Sequence, residues 1–108
     1  MAMQEPPNIL WICTDQQRFN TIRSLGNTDI RTPNIDRLVE EGVAFTHAFC
    51  QNSVCSPSRA SFLTGRYPRT TRLRQNGTKI PDDELLVTKI MADSGYACGL
   101  AGKLHLAP

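Results

Sequence analysis

The sequence predicts an α/β domain with a largely parallel sheet flanked by helices, on three observations. A continuously apolar, β-prone run, Ile9-Leu10-Trp11-Ile12-Cys13, opens the chain after Pro6-Pro7 and stops at Asp15, as a strand buried on both faces does. Helical and extended patterns then alternate along the chain in the order β-α-β-α-α-β. Polar clusters fall where strands should end, and in open α/β sheets ligands gather at the carboxyl ends of strands.

The elements follow in order. Thr32-Pro33 supplies an N-cap and a first-turn proline, Ile35, Leu38 and Val39 share a helical face, and Gly42 supplies a stop, so a helix is predicted over about 33–41. Val43 to Phe49 alternates, with Phe45, His47 and Phe49 on one side, and reads as a second strand. His47 among phenylalanines reads as a half-buried histidine outside any site. A helical element should begin near Pro57 and end at Gly65. The Arg- and Thr-rich stretch 66–80 reads as a loop. Pro81-Asp82-Asp83-Glu84 should open a helix running through Ser94, with Leu86 and Ile90 one turn apart. Gly95 closes it, and Tyr96 to Ala101 reads as a last strand.

The 108 residues are 40% hydrophobic and 20% charged, within the range of globular domains. The net charge of +2 is too small to indicate a nucleic-acid or membrane partner, and the 6% aromatic content argues further against nucleic acid. Residues 55–108 nevertheless hold 8 basic against 4 acidic groups, whereas residues 1–54 hold 4 against 6. The cluster Arg66, Arg69, Arg72 and Arg74 reads equally as a steering field for an anion or as a solvated loop. No apolar run approaches the roughly 18 residues of a membrane span, and residues 1–7 lack the features of a secretion signal. The chain as given therefore reads as cytoplasmic, or as periplasmic or secreted if its N-terminus has been trimmed. Of the four cysteines, none forms a CxxC pair; Cys13 and Cys98, inside expected strands, read as small buried apolar residues rather than disulfide or zinc partners. Asn76-Gly77-Thr78 matches a glycosylation sequon and reads as a turn.

Three groups of residues carry chemistry: Asp15-Gln16, Cys55 to Arg59, and Lys103 to His105. In Cys55-Ser56-Pro57-Ser58-Arg59 the proline suits a first helical turn and leaves Cys55 at the helix N-terminus, where unpaired N–H groups favour an anion. Arg59, four residues on, projects from the same face and suits an oxyanion beside Cys55. A cysteine phosphatase loop would need C-x5-R, which neither Cys55 nor Cys13 provides.

The run Cys55-Ser56-Pro57-Ser58-Arg59-Ala60-Ser61-Phe62-Leu63-Thr64-Gly65-Arg66 resembles the first signature of the type I, formylglycine-dependent sulfatases of the alkaline phosphatase superfamily. Gly95 to His105 resembles their second signature, which ends in G-K-x-H, and Asn8 to Gln16 resembles their N-terminal metal-binding strand. The resemblance implies that residues 1–108 are the N-terminal portion of a sulfatase catalytic domain. By it, Cys55 is the cysteine oxidised to formylglycine by a formylglycine-generating enzyme. Arg59 would hold the resulting diol, Lys103 would contact sulfate and nucleophile, and His105 would bond the hydroxyl whose deprotonation drives sulfate release. Asp15, Gln16 and the modified Cys55 would bind a divalent metal, calcium first, with magnesium or manganese as alternatives. Gln16 stands where many members have aspartate and is similar to a subset that includes choline sulfatases and phosphonate monoester hydrolases. Asn76 matches a substrate-binding asparagine of that subset, while Lys103 and His105 favour sulfate over phosphonate. The implied substrate is a sulfate ester of a small molecule or sugar. The alternatives are a phosphonate or phosphate ester hydrolase of the superfamily, or a non-catalytic anion-binding relative. The resemblance also implies further site groups in the remainder of a sulfatase chain, so the 108 residues alone are expected to be inactive and to expose apolar surface.

Overall fold

The computed structural model describes residues 5–107. It divides into two units, one ending at Thr46 and one beginning at His47.

The first unit is organised around a helix, α1 (Pro33–Glu41), and a short 3-10 turn, Arg23–Leu25. Pro33 starts α1 as expected, but the Thr32 hydroxyl makes no capping bond to the helix backbone. It donates instead to Asp36 Oδ1 (2.8 Å) and accepts from the Arg23 amide (2.9 Å). Asp36 Oδ1 also accepts from the Ser24 amide at 2.9 Å, so one carboxylate ties the 3-10 turn to the helix. At the far end Gly42 is required by space: a Cβ there would lie 2.7 Å from the Leu38 carbonyl oxygen. Ile35 and Val39 are half-buried and Leu38 is exposed.

The second unit is built on α2 (Cys55–Thr64), followed by α3 (Pro68–Thr71) and α4 (Val87–Asp93). α2 starts at the signature cysteine with Pro57 in its first turn. It ends at Gly65, whose φ of 67° lets its N–H turn back to the Ser61 carbonyl at 2.8 Å. Ser61 and Thr64 return their hydroxyls to the carbonyls of Pro57 and Ala60, at 2.9 and 2.6 Å, so these polar side chains are satisfied within the helix. The core is small: Ala60, Leu73 and Leu106 are buried, with Leu63, Ile80 and Leu86 packed around them. It therefore joins α2, the loop after α3 and the C-terminal segment.

Three expectations change. The helix expected from Pro81 begins only at Val87. Residues 81–84 instead form a turn, with the Glu84 amide bonded to the Pro81 carbonyl at 3.2 Å. Its carboxylates take separate partners in the preceding stretch: Asp82 with Lys79 (2.6 Å), Asp83 with Arg72 (2.5 Å) and Glu84 with Arg66 (2.8 Å). The acidic cluster that reads as a helix start is used to fold back on the basic segment. That segment, expected as plain loop, contains α3, which Tyr67-Pro68 opens and Arg72, at φ 64°, closes.

The third change concerns the sheet. Among the described residues no strand forms, and the segments 9–13, 43–49 and 96–101 lie outside regular structure. A strand requires a neighbour that pairs with it along its length, and no such ladder forms among the described residues. The expected sheet core consequently stands in solvent, with Leu10 85% and Phe49 83% exposed. Cys13 and Cys98, expected to be buried, are exposed for the same reason, and all four cysteines are free thiols. No helix among the described residues is long and apolar enough to cross a membrane.

The Asp36 linkage has a defined pH dependence. The Ser24 backbone N–H, with a smaller contribution from the Thr32 hydroxyl, holds the carboxyl below its ordinary value of 3.8, against an opposing effect of desolvation. A lowered folded-state value means that the carboxylate stabilises above the unfolded value and that this is lost as pH falls through the folded one. The protection of the Ser24 amide, the slowing of its exchange relative to an unstructured chain at the same pH, should therefore be high at neutral pH and fall below about pH 4. Asp36→Ala should show the low protection at every pH.

Candidate active site

Cys55 is the first helical residue of α2, half-buried, with Val54 at the N-cap position. The first-turn donors are few. Pro57 has no N–H, and the Ser58 amide bonds the Val54 carbonyl at 3.1 Å. The Ser56 amide bonds Asn76 Oδ1 at 3.0 Å across 20 residues of sequence. Ahead of the helix, the Asn52 side chain accepts from the Val54 amide at 2.7 Å, an Asx turn that sets the chain's entry into α2. Asn52 was not among the sequence candidates, although an Asn two residues before a helix start signals such a turn.

Arg59 lies one turn after Cys55 on the same helix and is only 8% exposed. Its Nη1 donates to the Lys103 carbonyl at 2.6 Å. The two signatures are thus joined by a charge-assisted bond between residues 44 apart in sequence. Lys103 is itself exposed. Beyond it, Leu106 enters the core and its carbonyl accepts from the Ile80 amide at 2.8 Å. His105, between these anchors, has φ 57°, and its Nδ1 is buried without a partner among the described residues. The structure therefore brings Cys55, Arg59, Asn76 and the Lys103 to Leu106 segment into one unit.

Asp15 and Gln16 belong to the first unit and lie on a bend that follows the expected strand. Gln16 has φ 58°. Among the described residues only Gln16, Arg72 and His105 are non-glycine positions with positive φ. Arg72 is explained as the end of α3. The other two are candidate site residues, each in a conformation that costs a non-glycine residue about 1–2 kcal/mol, and such costs gather at functional positions. Asp15 and Gln16 offer hard oxygen donors, chemistry that suits calcium or magnesium. Among the described residues no group of three or more His, Cys, Asp or Glu side chains is placed to hold a metal. The pair fits as part of a coordination shell.

The basic cluster is partly committed to structure. Arg66 is paired with Glu84, whose side chain is 3% exposed, and Arg72 is paired with Asp83. Two of the four arginines considered for steering therefore hold the loop.

Comparison with known proteins defines the class. The sulfatase family pattern matches residues 7–108, and the chain belongs to the sulfatase family. That membership implies an alkaline-phosphatase-like α/β fold. The chain is 42% identical over 100 residues to an ulvan-active sulfatase of Formosa agariphila, covering 93% of this chain and 20% of that protein. It is 38% identical over 113 residues to arylsulfatase A of Bos taurus, covering 98% and 22%. It is 37% identical over 111 residues to steryl-sulfatase of Homo sapiens, covering 93% and 19%. The chain thus spans about a fifth of the length of these relatives. No solved structure matches it.

Ser56 is the buried polar residue in the signature that has no visible use: it is 1% exposed and its hydroxyl lacks a partner among the described residues. Leaving a hydroxyl buried and unpaired costs about 1–3 kcal/mol. Ser56→Ala should therefore leave the unfolding midpoint unchanged or raise it by up to about 1 kcal/mol equivalent. A loss of more than about 1 kcal/mol would show that the hydroxyl is bonded in solution.

Proposed function

We propose that the whole protein hydrolyses sulfate esters through a formylglycine formed at Cys55 and that this chain carries its nucleophile. The observation that carries the reading is the Arg59 to Lys103 bond, which unites the two signature segments one turn after Cys55 on α2.

The chemistry explains why a thiol would not suffice. A thiolate attacking sulfur would form an S–S adduct with no easy exit. The aldehyde hydrate has two oxygens on one carbon. One attacks sulfur, the S–O bond to the alcohol breaks, and the alcohol leaves with a proton. The second hydroxyl then gives up its proton, the carbon–oxygen bond to sulfate breaks, and sulfate departs as the aldehyde re-forms and is rehydrated by water. In this reading Arg59 holds the diol, His105 takes the hydroxyl proton, and Lys103 and Asn76 bind the sulfate oxygens. By the family resemblance, Asp15, Gln16 and an oxygen of the modified Cys55 would be donors to a divalent metal, calcium or else magnesium or manganese. That metal would supply positive charge for the sulfate and the nucleophile. Two protein oxygens are fewer than the roughly six to eight that calcium takes, so other groups of the whole protein complete the shell. The remainder of the sulfatase chain would also cover the apolar segments 9–12 and 43–49. A formylglycine-generating enzyme is the required partner, and the substrate is a sulfate ester of a small molecule or sugar.

The test is mass analysis of the Cys55 peptide from whole protein made in its native host. The reading expects an aldehyde in place of the thiol, and an unmodified thiol in active protein would overturn it. Lys103→Ala in that protein should lower kcat about 100- to 1,000-fold, the usual effect of losing one transition-state donor.

A further inference from the structure

We propose that Asn76 is a positioning residue that caps α2 from outside and fixes the backbone turn carrying Cys55. This deepens the sulfatase reading, in which Asn76 is a sulfate ligand, but its structural half stands independently of that reading.

The argument begins with the helix end. An α-helix leaves its first N–H groups without intrahelical partners, and normally the N-cap side chain takes one. Here the N-cap is Val54, which has no such side chain and makes no cap bond. The need is met by Asn76, whose Oδ1 accepts from the Ser56 amide, the residue directly after the nucleophile position.

Asn76 is exposed, and an exposed asparagine on a free loop would be a poor cap. The loop is held at both ends. Leu73 is fully buried in the core, and Ile80 packs against that core with its amide on the Leu106 carbonyl. Between them the turn is closed by the Thr78 hydroxyl on the Gln75 carbonyl at 2.9 Å, with Gly77 at φ 79°. The ion pairs Arg72–Asp83 and Lys79–Asp82 brace its flanks. The amide oxygen is therefore delivered to the helix by a pinned loop.

The bond also orients the amide. With Oδ1 on the Ser56 N–H, the remaining end of Asn76 is its NH2 group, which can only donate. A donor on the side chain that bonds the Ser56 amide suits an anionic sulfate, whereas a carboxylate at position 76 would still cap but would present negative charge. The two roles separate on this difference.

The experiment compares Asn76→Ala and Asn76→Asp with wild type. The first measurement is exchange of the Ser56 amide in this chain, by NMR. Removing a capping acceptor should accelerate it about tenfold in the Ala variant, and the Asp variant should restore it to within about twofold of wild type, since Asp is an equally good cap. Unchanged exchange in the Ala variant would overturn the proposal, as would an Asp variant as fast as Ala. The second measurement is aryl sulfate turnover in whole protein. Asp should raise KM although it restores the cap, and an unaltered KM would remove the ligand role while leaving the capping role intact.

Discussion

The second unit depends on one interaction, the Arg59 guanidinium bonded to the Lys103 carbonyl. Arg59 is nearly buried, and a buried cation is tolerated only when its donors are taken up. Placing it on α2 obliges the chain to bring oxygen acceptors to that spot, and the Lys103 carbonyl is one of them. Once that segment is in place, Leu106 can reach Ala60 and Leu73, and its carbonyl can receive the Ile80 amide. The same constraint that satisfies a charge builds the small core and delivers Lys103 and His105 to the helix that begins at Cys55.

The helical signals were legible where they are local. Thr32-Pro33 with Gly42 marked α1, and Pro57 with Gly65 marked α2, because a first-turn proline and a glycine with positive φ or no room for a Cβ act within a few residues. The acidic run 82–84 misled because its carboxylates suit a helix start as well as ion pairs. Only the folded chain reveals that Lys79, Arg72 and Arg66 are there to meet them. The strand-like segments show the opposite limit. The pattern of Ile9 to Cys13 records an environment of burial, and burial requires partners that the pattern does not name.

The candidate site was legible as residue types and only partly as geometry. The resemblance marked Cys55, Arg59, Lys103, His105, Asn76, Asp15 and Gln16. It did not indicate that Arg59 would engage a backbone carbonyl or that Asn76 would engage a backbone amide, since main-chain partners leave no trace in side-chain motifs. It also gave no sign that Gln16 and His105 would adopt positive φ. Those conformations carry a backbone cost of the kind that gathers at functional positions, though the end of a helix brings the same cost at Arg72.

The claim that Arg59 organises the unit is tested most directly by the exchange rate of the Ile80 amide, whose acceptor is the carbonyl of Leu106. Replacing Arg59 with Ala should release the Lys103 to Leu106 segment and speed that exchange by about tenfold or more, as expected for loss of a charge-assisted bond worth about 1.5–3 kcal/mol. An Ile80 amide as protected in the variant as in the wild type would contradict the account, because the segment would then be docked without the guanidinium.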